Sequence, residues 1–281
     1  MEYKVYNHEL LLEKVKSNTT MNSEVVSFFN NFTFNNVLNQ KSAIGNSTYV
    51  FKNTIKEDTT KSKITQALNK LHAQNLTKIV TSIREIVFQN HDELSELVTQ
   101  CIFKIKRDSE QIRPVVAALC NELQSTYFLT ADNEKIYFRR LLLTAVKKDY
   151  IESLRYDDEL WSREKSEKSM ILIGTLFNTK LIEKKILISI ISDLENLIKY
   201  KEEEQEYYNK VEKAIQQLTC LISVILPQNS SGNNENNDIF INLLKFLEEN
   251  ILIYEDKKCI SKKIRIVCKN SISEITNYLN K

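Results

Sequence analysis

The chain has 281 residues, 42% of them hydrophobic, and its 39 Lys plus Arg against 37 Asp plus Glu leave a formal charge of +2. That is enough apolar material for a substantial core, and the near-neutral balance carries no global attraction to nucleic acid or anionic membrane, so any charged contact has to be local. Three glycines and two prolines are too few for hairpin-rich or α/β crossover folds, which leaves a mostly helical protein.

Close to the N-terminus stands YNHELLL, residues 6 to 12, which places Tyr6, Leu11 and Leu12 where most proteins have a frayed tail. Residues 13 to about 60 are rich in Asn, Ser and Thr and have no sustained helical period, so they read as a linker carrying apolar islands. From about residue 65 the texture changes. ITQALNKLHAQNLTKIVTSIREIVF puts Leu68, Leu71, Ile79, Ile83 and Ile86 at helical spacings, and DELSELVTQCIFKIKR does the same with Leu94, Leu97, Cys101 and Ile105. Further amphipathic segments follow near 110–126, 134–155, 164–177, 183–199, 204–226, 238–253 and 258–279. The spacing therefore predicts about nine helices joined by short polar breaks. PQNSSGNNENND, 227 to 238, is the one low-complexity break and reads as a surface loop.

No single helix buries its own apolar stripe, and short connections make sequential neighbours antiparallel. The expected fold is all-α, an α-solenoid of about five HEAT-like helix pairs preceded by a largely extended N-terminal arm. Because residue-level repetition is weak, an irregular helical bundle is the alternative.

The sequence holds no recognisable catalytic pattern. Isolated glycines supply neither a P-loop nor a dinucleotide turn. His8, His72 and His91 stand apart, and no cysteine pair has zinc spacing, so neither a metal nor a cofactor is expected. The five cysteines are scattered, which suits reduced thiols, and no apolar run reaches the roughly 18 residues of a membrane span. With no leader pattern at the N-terminus, the expectation is a cytoplasmic protein that is not an enzyme.

Four blocks carry a resemblance: LNKLHAQNLTKIV (68 to 80), YFRRLLLTAVKKDY (137 to 150), SMILIGTLFNTKLI (169 to 182) and KKCISKKIRIVCKNSISEI (257 to 275). In that order they resemble the HEAT-repeat middle domain of the eukaryotic translation initiation factor 4 gamma family, over about 220 residues. The same family carries a Tyr-x4-Leu-apolar peptide that binds the cap-binding factor 4E, and Tyr6, Leu11 and Leu12 match it. The resemblance thus implies a cap-binding-factor peptide in residues 1–36, a linker with a helicase-contacting strand in 37–60 and the HEAT domain in 61–281.

Within the first segment, SEVV at the start of SEVVSFFNNFTF resembles the family's second contact with the cap-binding factor, and Val25, Val26 and Phe28 are taken as its residues; packing of the phenylalanines of this stretch back onto the helices is the alternative. The second implied partner is a DEAD-box RNA helicase of the 4A type. Tyr49 and Phe51 in NSTYVFKN occupy the matching strand, where the family usually has Trp. Phe177 resembles a helicase-linked position, with a core role as the competing reading, and Lys262 and Arg265 belong to the basic run of the last block. Lys135, Arg139, Arg140, Lys147 and Lys148 are read as decorating one helix, where they serve mRNA phosphates, an acidic helicase surface or a merely solvated face. The implied function is a scaffold that bridges the two factors and stimulates the helicase. The alternatives are a decoy or repressor capturing one factor, an RNA-binding HEAT adaptor outside initiation, and a cryptic hydrolase or nucleic-acid-modifying enzyme.

Overall fold

The structure is a computed structural model, and it describes residues 59–156, 161–199, 205–226, 236–257 and 260–280. Among them are ten α-helices: α1 (Thr60–Asn69), α2 (Leu76–Arg84), α3 (His91–Arg107), α4 (Arg113–Leu123), α5 (Phe138–Ser153), α6 (Arg163–Asn178), α7 (Lys184–Ile198), α8 (Gln205–Ile225), α9 (Asn237–Lys257) and α10 (Lys262–Leu279). A two-stranded hairpin, β1 (Tyr127–Leu129) and β2 (Lys135–Tyr137), stands between α4 and α5.

Each odd-numbered helix packs on its even-numbered successor, giving five pairs. The even helices form a continuous layer, α2 on α4, α4 on α6, α6 on α8 and α8 on α10, and α3 bridges α1, α5 and α6. This is the solenoid arrangement expected from the amphipathic stripes. Leu68, Leu71, Ile79, Ile83, Leu94, Leu97, Cys101 and Ile105 are all buried in one apolar core. No helix among the described residues is long and apolar enough to cross a membrane.

Local chemistry starts and stops the helices. Thr59, Asn90, Ser162 and Ser261 are N-caps whose side-chain oxygens accept the backbone N–H of Ser62, Glu93, Lys165 and Ile264, satisfying donors that the first helical turn leaves unpaired. Pro114 sits in the first turn of α4, where its missing N–H costs nothing.

Two expectations about the elements need correction. The single amphipathic segment ITQALNKLHAQNLTKIVTSIREIVF, residues 64–88, forms two helices. Its break lies at HAQN, where the Asn75 side chain accepts from the His72 N–H at 2.9 Å and donates to the Lys70 carbonyl at 2.5 Å. The helix expected from residue 134 begins at Phe138, because residues 135–137 pair as β2 with β1 in the register Tyr127↔Tyr137, Phe128↔Ile136, Leu129↔Lys135.

Helices α6 and α8 approach closely at a glycine. A Cβ at Gly174 would lie 2.6 Å from Val224 Cγ1 and 2.9 Å from Val224 Cβ, so only glycine lets the two backbones come this near. A polar knot fastens the end of α5 to α8. Gln217, buried on α8, donates from Nε2 to the Ser153 carbonyl (3.2 Å) and Oγ (3.1 Å), and its Oε1 accepts from the Tyr156 hydroxyl. Trp161 Nε1 donates to the same Ser153 carbonyl at 3.1 Å. Lys213 Nζ donates to the Tyr156 carbonyl at 2.8 Å and lies 4.4 Å from the centre of the Trp161 ring.

Candidate partner-binding surfaces

Tyr6, Leu11, Leu12, Val25, Val26, Phe28, Tyr49 and Phe51 lie outside the described residues. The other residues singled out by the sequence fall on the hairpin and on α5, α6 and α10.

Helix α5 buries Phe138, Leu142, Val146, Tyr150 and Ser153, the repeat of a single helix face. That face turns Arg140, Lys147 and Lys148 to solvent. Arg140 and Lys147 are seven residues apart, two turns or about 10 Å along one side. Lys148 stands 4.0 Å from Glu152, one turn on. Arg139 is half-buried and reaches Glu183 at 3.4 Å, just ahead of α7. Lys185 first, and Arg139 with it, hold the Glu183 carboxyl below the usual carboxylate range.

Lys135 does not share that helix. It stands on β2 with its ammonium 4.5 Å from the centre of the Tyr127 ring, a cation–π distance. Aromatic and β-branched residues on both sides of the ADN turn favour strand pairing, and Asn133 closes the turn at φ 60, a conformation asparagine tolerates. Basic residues placed together by the expected helix are therefore divided between a strand and a helix face.

At the start of α10, Lys262 is exposed, whereas Arg265 is half-buried with its Nε–H buried and without an acceptor. The Ser261 N–H donates to the Glu212 carboxylate and fixes this end of α10 to α8. Phe177, near the end of α6, is half-buried and packs against the core, as its apolar neighbours suggest. The next residue, Asn178, donates from Nδ2 to the Val224 carbonyl at 2.8 Å. Glu212 and Val224 are twelve residues apart on α8, about 18 Å along its axis. Phe177 and the Lys262/Arg265 end of α10 are thus separate surfaces.

The hairpin is absent from the sequence-based expectation. Its outer face shows Tyr127 (40% exposed), Leu129 (50%) and Tyr137 (41%), and the two tyrosine rings stand 5.7 Å apart. Val87, beyond the end of α2, is 80% exposed. The signal was present in YFL and KIY, two short β-favouring runs around a turn-forming Asp-Asn. Among the described residues, no three of His, Cys, Asp or Glu come together as a metal site.

The helical stack coincides with a known family. The model of the MIF4G domain matches residues 62–271, from α1 into α10. A curated relative, eukaryotic translation initiation factor 4G of Cucumis melo, is 25% identical over 193 residues, which cover 60% of this chain and 10% of the relative. The matched region is thus about a tenth of that protein's length. With five helix pairs in the expected order and a match that spans them, the chain belongs to the MIF4G domain family.

Proposed function

We propose that the chain is a translation-initiation scaffold that bridges a cap-binding protein of the 4E type and a DEAD-box RNA helicase of the 4A type. The observation that carries this reading is the MIF4G match over the helical stack, supported by the similarity to an initiation factor 4G. In this reading Tyr6, Leu11 and Leu12 dock on the cap-binding protein, with Val25, Val26 and Phe28 as the second contact. Tyr49 and Phe51 anchor the helicase, together with surfaces at Phe177 and at Lys262 and Arg265. The separation of those last two surfaces suits a partner that is gripped at more than one place.

The mechanism is geometric. Holding both lobes of a helicase restricts their relative motion and raises the population of the conformations that turn over ATP and RNA productively, while catalysis stays with the partner. Holding a cap-binding protein on the same chain raises the effective concentration of helicase near the mRNA end.

The triple substitution Tyr6→Ala, Leu11→Ala, Leu12→Ala should abolish retention on resin charged with a cap-bound 4E-type protein and leave thermal melting unchanged. Anchors of this kind commonly contribute about 2 kcal/mol or more each. Retention equal to wild type rejects the cap-binding assignment. Loss of this binding with helicase binding intact leaves the helicase arm standing by itself.

A further inference from the structure

A groove of about 600 Å³ runs beside the hairpin, with Arg84, Ile86, Val87 and Phe88 on one side and residues 125–129 on the other. Its walls include all of β1 and none of β2, so it follows the edge of β1 that faces away from its partner strand. The register says what that edge offers. Phe138 N–H donates to the Thr126 carbonyl and Thr130 N–H to the Glu134 carbonyl, which turns Phe128 of β1 and its neighbours Thr126 and Thr130 toward β2. The N–H and C=O groups of Tyr127 and Leu129 therefore point the other way, and among the described residues no hydrogen bond reaches them. Among the described residues this strand edge is open, and it is flanked by the exposed aliphatic side chains of Val87 and Leu129.

Ile86 is shared with a second hollow of about 610 Å³ between α1 and α2. The charged groups lining that hollow include Lys70 and Lys78, His72 stands with them, and among the described residues no carboxylate lines it. In the first groove the charged residue is Arg84, which reaches Glu122 at 3.3 Å. The combined surface is apolar with an open strand edge at one end and cationic at the other.

We propose that this surface docks an extended segment of a partner protein, whose alternating apolar residues add a strand to β1 and whose adjoining acidic run lies over Lys70 and Lys78. Strand addition supplies main-chain hydrogen bonds at Tyr127 and Leu129, and every second side chain of the incoming segment covers Val87 and Ile86. Charge complementarity selects an acidic continuation. RNA would use the lysines, but it has no alternating main-chain N–H and C=O groups to pair with a strand edge, and the exposed Tyr127 ring of the groove already carries the Lys135 ammonium at 4.5 Å and the Tyr137 ring at 5.7 Å. This site is independent of the cap-binding and helicase contacts proposed above.

The test uses the full chain and two fluorescein-labelled peptides, EEEEEEVTVTVT and VTVTVTEEEEEE, which present the acidic and the alternating block in either order. One order should bind, with the amides of Tyr127 and Leu129 slowed at least about tenfold in hydrogen exchange. Replacing the glutamates by lysines, or placing proline in the Val-Thr block, should weaken binding about tenfold, and so should Val87→Asp or the pair Lys70→Glu, Lys78→Glu in the protein. Both protein variants change exposed side chains and should keep the wild-type melting temperature. A twelve-residue oligouridylate should not compete. The proposal is overturned if neither peptide binds, if the lysine peptide binds equally well, or if Val87→Asp binds like wild type. It is equally overturned by oligouridylate displacing the peptide, or by Tyr127 and Leu129 amides that are already protected in the free chain. None of these results bears on retention by the 4E-type resin, so failure here is distinguishable from failure of the scaffold reading.

Discussion

Truncating Phe138 to alanine should lower the unfolding free energy by about 3–5 kcal/mol, the range for removing a fully buried phenylalanine. Phe138 is fully buried and is the first residue of α5, and its N–H donates to the Thr126 carbonyl at 2.7 Å. It is the joint at which the hairpin is fixed to the stack, so the loss should reach the hairpin as well as the core. Urea denaturation should show a lower midpoint with an unchanged slope, because a cavity alters stability without altering the surface exposed on unfolding. Phe138→Leu keeps most of the volume and should cost about 1 kcal/mol. A Phe138→Ala loss no larger than the leucine variant's would contradict this account of the joint.

Replacing Gln217 by leucine should cost about 2 kcal/mol, because it leaves the buried Tyr156 hydroxyl without its acceptor. Burial pushes the Tyr156 phenol well above its usual range, so the hydroxyl stays protonated and needs an acceptor throughout the physiological pH range. The Ser153 carbonyl keeps the Trp161 indole as a donor, and its hydroxyl still donates to the Tyr150 carbonyl at 2.7 Å, which limits the damage on that side. Removing both ends of the bond should be gentler than removing one. The double variant Gln217→Leu, Tyr156→Phe should therefore lose about 1 kcal/mol less than the sum of the single losses. Additive losses in that cycle would mean that the Tyr156–Gln217 bond does not hold the α5–α6 connection to α8.

The pairing of helices was legible because it depends on features that sequence shows directly. The scarcity of glycine and proline and the three- and four-residue spacing of Leu94, Leu97, Cys101 and Ile105 both act locally. The break between α1 and α2 was hidden because Leu68, Leu71 and Ile79 keep a helical spacing across it, while the interruption is made by the side chain of Asn75 turning back on Lys70 and His72. The hairpin was hidden for a different reason. Three-residue strands are shorter than the window in which alternation stands out, and they took Lys135 away from the basic helix face to which proximity in sequence had assigned it. The exposed groups Val87, Tyr127 and Tyr137 carry no sequence mark of exposure, since an apolar residue is presumed buried until the fold shows otherwise.

The bridging claim has a direct assay. A cap-binding protein of the 4E type is immobilised on cap resin, a helicase of the 4A type is passed over it, and the bound helicase is quantified with and without the chain. The account predicts that the helicase is retained only when the chain is present, in equimolar amount with it, and that Tyr6→Ala, Leu11→Ala, Leu12→Ala removes chain and helicase together. A resin that holds the chain but no helicase, or that holds neither, would contradict it.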